Sequence, residues 1–363
     1  MKRFIDIHVP ITACNFKCDY CYVTQMGKNN TERVEFKYSP EHVRKALSKE
    51  RLGGACLFNV CGLGETLIPK EINKYLEALL AEGHYVMVVT NGTLTERFKE
   101  IERFDEGMRK CLFFKFSFHY LELKRLNKME EFISNVNRIK NAGCSFTIEI
   151  TPNDKLEPYI DEIKDICMKE FGALCHVTIP RMENDNVIPL LSKHSFEDFC
   201  LIWGTFKSEL FDFKKSIWGV KRKEFCHAGE WSGLLNLGTG IWTPCYSIKA
   251  QKKNIFENID KPIEFYPVGK CCKMPHCYNG HSYLTMGNIP EIDTYHFNQL
   301  RDRECVDGSH WLTPEVNEFF NGRLDAENSS NYSSKDKLIF TKYKYKTIIK
   351  NVAGKISSKI TNK

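Results

Sequence analysis

The sequence predicts an α/β fold: a partial (β/α)6 barrel, then a small cysteine-rich module with a β-hairpin, then a basic helical tail. The first observation is that short apolar runs alternate with longer amphipathic segments over residues 1–215. Strands buried on both faces have such apolar runs, and helices connect them. The second observation is that this alternation stops near residue 215, where glycines, turns and cysteines take over. The third is a lysine-rich end. We therefore expect three units, over residues 1–215, 216–310 and 311–363.

Six strands are expected in the first unit, over residues 4–9, 55–60, 84–90, 112–118, 145–151 and 174–180. Helices are expected between them, over residues 41–50, 69–82, 127–142, 156–171 and 195–211. Ser39 and Pro40 form a helix start, and Gly83 and Gly143 form left-handed helix ends. Right-handed strand–helix–strand units build a parallel sheet, which is a partial or full barrel or a doubly wound sheet. In each case, chemistry is expected at the carboxyl ends of the strands.

Composition excludes several classes of protein. With 363 residues, of which 42% are apolar and 27% charged, the chain is neither disordered nor fibrous. No run approaches the roughly 20 apolar residues that a membrane span needs. Residues 335–363 hold nine lysines and one aspartate, so of the net charge of +6 they carry +8 and the other 334 residues carry −2. A nearly neutral body disfavours a large nucleic-acid-binding face.

The sixteen cysteines are expected to be reduced. The N-terminus has no signal peptide, because Asp6, His8 and Pro10 interrupt its apolar stretch. The expected compartment is therefore the cytoplasm. Cysteines there serve as metal ligands or catalytic groups more often than as crosslinks.

Three cysteines, Cys14, Cys18 and Cys21, follow the first strand within one loop. Their thiolates can surround a small inorganic core, although a closed iron–sulfur cluster takes four. Either a remote cysteine completes the site, or one iron stays open for a substrate or cofactor. A zinc loop or a simple electron-transfer cluster is the plainer alternative.

The CxxxCxxC spacing of this loop, with Tyr20 just before the last cysteine, resembles the radical SAM family. The resemblance implies that the three cysteines hold a [4Fe–4S] cluster whose fourth iron binds the amino and carboxylate groups of S-adenosylmethionine. An electron from the cluster then cleaves the sulfonium, and a 5′-deoxyadenosyl radical abstracts a hydrogen from the substrate. It also implies a reducing electron donor such as flavodoxin or ferredoxin.

Three further segments match this family at the ends of consecutive expected strands. Gly62, Gly64 and Glu65 resemble its glycine–glutamate motif, which binds the methionine amino group. Asn91 lies in a Thr-Asn-Gly segment similar to the one that the family places near the cofactor. Ser117 matches a position that often contacts the ribose. Alone, each segment is also explained by an ordinary turn or strand end. Together they extend the resemblance over residues 1–215.

Arg181 follows the sixth expected strand. An arginine at the active rim can pair with the carboxylate of S-adenosylmethionine, or it can be a surface residue, and the sequence favours neither. Other cysteines in expected strands and helices have no paired spacing and are expected to be small buried apolar residues: Cys56, Cys111, Cys144, Cys167, Cys175 and Cys200.

The second unit resembles the SPASM and twitch extensions of radical SAM enzymes. In those, one cysteine before a β-hairpin and one after it help to hold an auxiliary [4Fe–4S] cluster. The expected hairpin turns near residues 238–240. A full SPASM module has seven cysteines and two clusters, so the six here imply a single cluster. Four of five cysteines are expected to hold it, with Cys305 in reserve: Cys226, Cys245, Cys271, Cys272 and Cys277. A structural zinc site is the alternative.

The tail repeats apolar residues at steps of three, four or seven between lysines: Leu338, Tyr345, Ile349, Val352, Ile356 and Ile360. This spacing predicts a basic amphipathic helix. Such a helix can lie on the anionic inner face of a membrane, fold against the barrel, or remain a solvated tail.

The resemblance implies an oxidoreductase-type radical SAM enzyme acting on a peptide or protein, or on a sugar-type metabolite. The first strand starts almost at the beginning of the chain, which leaves no fused leader-peptide domain and weighs against a peptide. Two other functions stay open. An iron–sulfur electron carrier or assembly factor would bind no S-adenosylmethionine. An RNA-modifying enzyme would copurify with nucleic acid, and the neutral body disfavours it.

Overall fold

The computed structural model describes residues 1–28, 35–183, 187–246, 252–270, 272–277, 279–328, 332–336, 338–340 and 349. Nine strands form one sheet in the order β6-β5-β4-β3-β2-β1-β7-β8-β9. They are Phe4–Val9 (β1), Leu57–Gly62 (β2), Tyr85–Thr90 (β3), Leu112–Ser117 (β4), Ser145–Ile150 (β5), His176–Val177 (β6), Ser232–Asn236 (β7), Ile241–Thr243 (β8) and Lys253–Asn254 (β9).

The expected α/β fold with a mostly parallel sheet is confirmed. Strands β1 to β6 pair in parallel, each with the next strand along the chain. A doubly wound sheet would reverse its strand order at a switch point. The order here runs in one direction, as it does when right-handed units wind toward a barrel. The sheet remains open, with β6 at one edge and β9 at the other.

The helices lie mainly between the strands, as expected. They are Tyr22–Gln25 (α1), Pro40–Ala46 (α2), Lys49–Leu52 (α3), Ile72–Ala81 (α4), Thr95–Ile101 (α5), Glu106–Lys110 (α6), Tyr120–Arg125 (α7), Met129–Asn141 (α8), Ile160–Phe171 (α9), Phe196–Gly204 (α10), Glu209–Ile217 (α11), Gly280–Tyr283 (α12), Pro314–Asn321 (α13) and Leu324–Glu327 (α14). The Ser39 hydroxyl accepts a hydrogen bond from the His42 N–H, and Gly83 and Gly143 have positive φ angles. These caps therefore act as the sequence predicted.

Four element bounds were wrong. The helix expected over 41–50 is two helices, α2 and α3, and the Ser48 hydroxyl caps the second by accepting from the Arg51 N–H. The single helix expected over 195–211 is two helices, because Lys207 adopts a φ of +49° and Ser208 caps α11 by accepting from the Phe211 N–H. The sixth strand is only two residues long, and the other residues of 174–180 lie outside the sheet ladder. The helix expected from residue 156 begins instead as a 3₁₀ turn, Asp154–Tyr159, which contains Pro158. Proline fits such a turn because it has no N–H to donate to a helix ladder.

The two faces of the sheet are covered by different parts of the chain. One face packs against α2, α4, α8 and α9, where Val43, Leu76 and Val136 are fully buried. On the opposite face, the amino ends of the strands pack against the C-terminal segment, as when Phe113 meets Phe320 edge-to-face at 5.2 Å. The carboxyl half of that second face carries polar side chains, and it surrounds the site described below.

The cysteine-rich segment continues the sheet. Strand β7 pairs in parallel with β1, and β8 folds back on β7 as the expected hairpin, with Gly240 at a φ of +73°. Helix α11 spans residues 209–217 and so crosses the boundary expected after residue 215. In the described part of the chain, no helix is long and apolar enough to cross a membrane. Most of the predicted tail helix, including Tyr345, Val352, Ile356 and Ile360, lies outside the described residues.

Candidate active site

The three-cysteine loop leaves the carboxyl end of β1 and leads directly into α1. The Cys14 thiol accepts a hydrogen bond from the Phe16 N–H at 3.4 Å. The Lys17 N–H donates to Glu122 Oε2 at 2.7 Å, which ties the loop to α7. Cys21 is the residue before α1, and its N–H donates to the Cys18 carbonyl. The backbone of the loop is therefore fixed on both sides of its central cysteine.

The turn after β2 packs against the same loop through a glycine. The Gly64 N–H donates to the Ile11 carbonyl at 2.8 Å, and the next N–H donates to the Ala13 carbonyl at 3.0 Å. A β-carbon on Gly64 would lie 1.9 Å from the Ala13 oxygen, so only glycine allows this approach. Gly62 is also crowded, since a β-carbon there would lie 2.8 Å from the Ile11 side chain. Both glycines thus set the distance between β2 and the loop.

Glu65 is 3% exposed and connects the ends of β2 and β3. Its Oε1 accepts from the Thr90 hydroxyl at 2.7 Å and from the Leu67 N–H at 3.0 Å. Its Oε2 accepts from the Asn91 N–H at 2.8 Å. Burial raises the pKa of Glu65, while these donors oppose the rise. A carboxylate has about four acceptor positions, so three donors leave room for one more.

Asn91 joins this turn to the cysteine loop. Its side-chain amide donates to Asn15 Oδ1 at 2.7 Å and approaches the Cys14 sulfur at 4.0 Å. The side-chain oxygen of Asn91, Oδ1, accepts from the Thr93 hydroxyl at 2.7 Å. Asn15 Nδ2 donates to the same hydroxyl at 2.8 Å. Sequence reasoning missed Asn15, Thr90 and Thr93, although all lie within or beside the motifs that it used.

Tyr20 and Ser117 lie on the far side of the loop, near β4. The Tyr20 hydroxyl is 2.7 Å from His119 Nδ1, an unpredicted partner. Burial, and then the nearby Lys115, lower the pKa of His119 to about 4, so the imidazole is neutral at physiological pH. Ser117 is the last residue of β4 and lies opposite Glu149 on β5.

Arg181 lies outside this hydrogen-bond network. Its Nε donates to Glu183 Oε2 at 2.8 Å, and its carbonyl accepts from Gln25 of α1 at 3.2 Å. It also lines a small cavity, together with Lys214 and Trp218. The structure therefore places Arg181 beside α1, the helix that follows the cysteine loop, but gives its guanidinium an acidic partner of its own.

The spacing of the loop thiols can be tested against a single metal ion. Among the described residues, only Asp154, Glu157 and His194 form a trio of potential ligands whose donor atoms all lie within 4.8 Å of one another. Thiolates around one zinc, each about 2.3 Å from the metal, lie about 3.8 Å apart in a tetrahedron. The thiols of Cys14, Cys18 and Cys21 do not form such a trio, so their spacing gives no support to a single zinc ion.

Comparison with known proteins agrees with this geometry. Residues 8–154 match the model of the Radical SAM superfamily. This part of the chain is a radical SAM domain. It runs from β1 through β5 and includes the cysteine loop, the Glu65 turn and Asn91. The superfamily implies an enzyme with a [4Fe–4S] cluster and S-adenosylmethionine, and the three thiols of the loop and the polar turn beside it fit these groups.

Several solved structures are similar, and no curated protein matches the chain in sequence. SuiB of Streptococcus suis bound to S-adenosylmethionine is 15% identical with a TM-score of 0.49, and the match covers 71% of this chain and 65% of SuiB. The anSMEcpe enzyme with bound AdoMet is also 15% identical, with a TM-score of 0.48 over 71% of this chain and 76% of that one. BtrN in complex with AdoMet and 2-DOIA is 14% identical with a TM-score of 0.30, over 88% and 86% of the two chains. Since these scores are below 0.5, we draw no conclusion about activity from them.

Near the cysteine loop, the sheet carries buried charged side chains that sequence reasoning missed. Lys115 Nζ and Arg301 bind the two oxygens of Glu149 at 2.9 and 2.8 Å. Burial alone would raise the pKa of Glu149, but the two cations hold it below its ordinary value. The sequence does show Lys115 and Glu149 as polar residues within apolar strands. Arg301, the other partner of Glu149, is distant in sequence, so the pairing was not predictable.

Asp6 of β1 is another buried acid on this face of the sheet, and its raised pKa predicts how stability depends on pH. Its carboxylate accepts from Asn59 Nδ2 at 2.6 Å and from the Tyr283 hydroxyl at 3.2 Å, and burial raises its pKa to about 6. The folded state thus favours the protonated acid, and stability is lost as the pH rises through about 6. We expect Asp6→Asn to stabilise the protein at pH 8 by up to about 3 kcal/mol, and by about half of that at pH 5. Thermal unfolding at the two pH values measures this, and a gain independent of pH would contradict it.

Four cysteines of the second unit line one cavity: Cys226, Cys245, Cys272 and Cys277. Cys226 pairs with Gly269 before β7, Cys245 follows β8, and the other two precede α12. Burial, and then the other three thiols, raise the pKa of Cys277. We call this cavity the cysteine pocket.

Of the two remaining candidates, Cys271 lies outside the described residues. Cys305 lies beside the end of α9, with its sulfur 3.5 Å from the Phe171 carbonyl.

Proposed function

We propose that the protein reductively cleaves S-adenosylmethionine at a [4Fe–4S] cluster held by Cys14, Cys18 and Cys21, and abstracts a hydrogen atom from its substrate. One observation carries the proposal: the cysteine loop, the Gly64–Glu65 turn and Asn91 form one hydrogen-bonded unit at the carboxyl edge of the sheet. The family match to residues 8–154 supports the same chemistry.

The residues around the loop have distinct roles in this proposal. When bound, the cluster and S-adenosylmethionine supply the electron and the hydrogen-abstracting group. Gly62 and Gly64 keep the β2 turn close to the loop. Glu65 retains one acceptor position, which suits the cofactor's ammonium group. Asn91 and Tyr20, which bond within and beside the cysteine loop, and Ser117 at the end of β4 would orient the cofactor and exclude water from it.

The cysteine pocket is proposed to hold a second [4Fe–4S] cluster. Its four thiols come from both ends of the β-hairpin and from the loop before α12, and they line one cavity. Within the described chain, no three of them form a trio with donor atoms within 4.8 Å of one another, so their spacing gives no support to zinc. Four protein thiolates would close the cluster, and a closed cluster favours electron transfer over direct substrate binding. The net reaction would then be an oxidation.

The substrate is proposed to be a peptide or protein, or a sugar-type metabolite. Any of these would enter at the carboxyl edge of the sheet, where polar side chains replace the apolar residues that fill the amino half. A flavodoxin or ferredoxin would supply the reducing electron.

Iron counting tests the two-cluster proposal. After anaerobic reconstitution with iron and sulfide, we expect about eight irons per chain, because each [4Fe–4S] core needs its own set of thiolates. Cys277→Ala should lower the count to about four, while the matched control Cys200→Ala, on α10 and outside both sites, should leave it at about eight. With dithionite and S-adenosylmethionine, the wild-type protein should form 5′-deoxyadenosine.

Two results would contradict different parts of the proposal. A wild-type count of about four irons, unchanged in Cys277→Ala, would leave the cysteine pocket without a cluster. A fully loaded protein that forms no 5′-deoxyadenosine with any reductant would contradict the proposed cleavage itself.

A further inference from the structure

A second, smaller cavity lies between the end of β6, helix α11 and the loop of the cysteine pocket. We call it the basic pocket, and it is lined by Ile179, Arg181, Lys214, Ile217, Trp218 and His276. The backbone of Arg181 is held by Gln25 of α1, directly after the catalytic loop. His276 lines both this cavity and the cysteine pocket. The basic pocket therefore lies between the two proposed cluster sites.

Lys214 brings a buried charge into this cavity without an acidic partner. The residue is only 9% exposed, and its ammonium donates to the Thr178 hydroxyl. Among the described residues, no carboxylate pairs with it. The nearby Glu149 pairs through its two oxygens with Lys115 and Arg301 rather than with Lys214. Lys115, Arg301 and Lys214 thus lie near the single carboxylate of Glu149, and this group of side chains has an excess of positive charge.

Such an excess is unfavourable in a closed protein interior. A buried ammonium without a counter-charge loses its hydration and gains little in return. Burial accordingly lowers the pKa of Lys214 to about 7, with Glu149 opposing the shift. An anion placed beside Lys214 would restore the balance, and the weakly screened interior would strengthen the attraction.

The remaining walls of the basic pocket suit a bound group rather than bulk water. Ile217 and Ile179 are buried, and the Trp218 ring lies 4.6 Å from the ring of His276. His276 is 3% exposed, and its Nε2 atom has no hydrogen-bond partner within the part of the chain that the structure describes. An unpartnered buried nitrogen indicates that a polar ligand atom belongs there.

We propose that the basic pocket binds an oxyanion of the substrate, a carboxylate or a phosphate, through Lys214, Arg181 and His276. This inference rests on the proposed function and adds a substrate class to it: the substrate carries a negative group that anchors it between the catalytic loop and the cysteine pocket. Anchoring by a remote group positions the reacting hydrogen without taking part in the chemistry.

Binding of simple anions to the reconstituted protein tests this proposal. Isothermal titration with inorganic phosphate, and separately with acetate, is run at constant ionic strength balanced with chloride. At least one of the two anions should bind the wild-type protein. Lys214→Gln should weaken that binding by about tenfold or more, as the loss of a charge-assisted hydrogen bond predicts. Arg181→Gln, at a partly exposed position, provides a second variant if the first fails to fold.

Lys215→Gln is the matched control, since Lys215 lies on the same helix and pairs with Asp212. It removes the same charge and should bind the anion as the wild type does. Equal anion affinity in Lys214→Gln, Arg181→Gln and the wild type would overturn the proposal, as would binding of neither anion. Displacement of the bound anion by S-adenosylmethionine would also overturn it, because the basic pocket would then serve the cofactor's carboxylate.

The same preparations separate this inference from the proposed function. A wild-type protein that forms 5′-deoxyadenosine but binds neither anion contradicts only the inference. A wild-type protein that forms none contradicts the proposed function, whatever anions it binds.

Discussion

Cys18→Ala is expected to abolish 5′-deoxyadenosine formation. Cys18 is the central cysteine of the catalytic loop, and it is buried between backbone segments tied to α7 and α1. We expect the rate to fall by at least about 10³-fold, equivalent to about 4 kcal/mol of transition-state stabilisation. Chromatography of the quenched reaction with dithionite and S-adenosylmethionine measures it.

The control for this variant is Cys200→Ala, which removes a half-buried thiol from α10. It should retain the wild-type rate and iron content. Cys18→Ala should also lose about four irons, since two thiolates hold a cubane poorly. Wild-type turnover by Cys18→Ala would refute the assignment of the catalytic loop.

Gly64→Ala is expected to impair the enzyme through the backbone alone. The added methyl group would lie 1.9 Å from the Ala13 carbonyl oxygen, a distance that no side-chain rotation can relieve. The β2 turn and the catalytic loop must then separate by about 1 Å, and misplacement on this scale costs about 10²-fold in rate. The hydrogen bond from the next N–H to Ala13 would be strained by the same movement. The steady-state rate of 5′-deoxyadenosine formation measures the loss.

Gly107→Ala provides the comparison, because a β-carbon at Gly107 of α6 meets no atom within 4 Å. Alanine is favoured over glycine inside a helix by about 0.5–1 kcal/mol, so this variant should be fully active and at least as stable as the wild type. If Gly64→Ala were as active as Gly107→Ala, the close contact between the β2 turn and the loop would have no functional importance.

The strands of the radical SAM domain could be predicted because their signal is local. Runs such as residues 112–118 are almost continuously apolar, and the observed β4 covers Leu112–Ser117. The split between α10 and α11 could not be predicted in this way. The apolar spacing continues across it, and the break depends on a left-handed Lys207 and on Ser208, whose hydroxyl caps the second helix. Caps of this kind override periodicity over a few residues.

In the candidate site, too, local features could be predicted from the sequence and contacts between distant segments could not. The three cysteines, Glu65 and Asn91 were identified from short segments at the ends of successive strands. The use of Glu65 was only partly foreseen. It was selected as a ligand for an ammonium group, and three of its acceptor positions are taken by Thr90, Leu67 and Asn91. Hydrogen bonding between neighbouring strand ends is decided by the sheet, and residue spacing does not report it.

The sequence by itself determined the position of the cysteine loop and the order of the strands that surround it. Both depend on spacings of a few residues, which chain geometry converts directly into proximity. Only the tertiary structure brought Lys214, Arg181 and His276 to one cavity and left the buried Lys214 ammonium bonded to a hydroxyl rather than paired with a carboxylate. These residues come from three distant segments, and their electrostatic balance depends on which charges lie near one another inside the protein. Coulomb energy depends on distance and burial, neither of which the linear order of the residues contains.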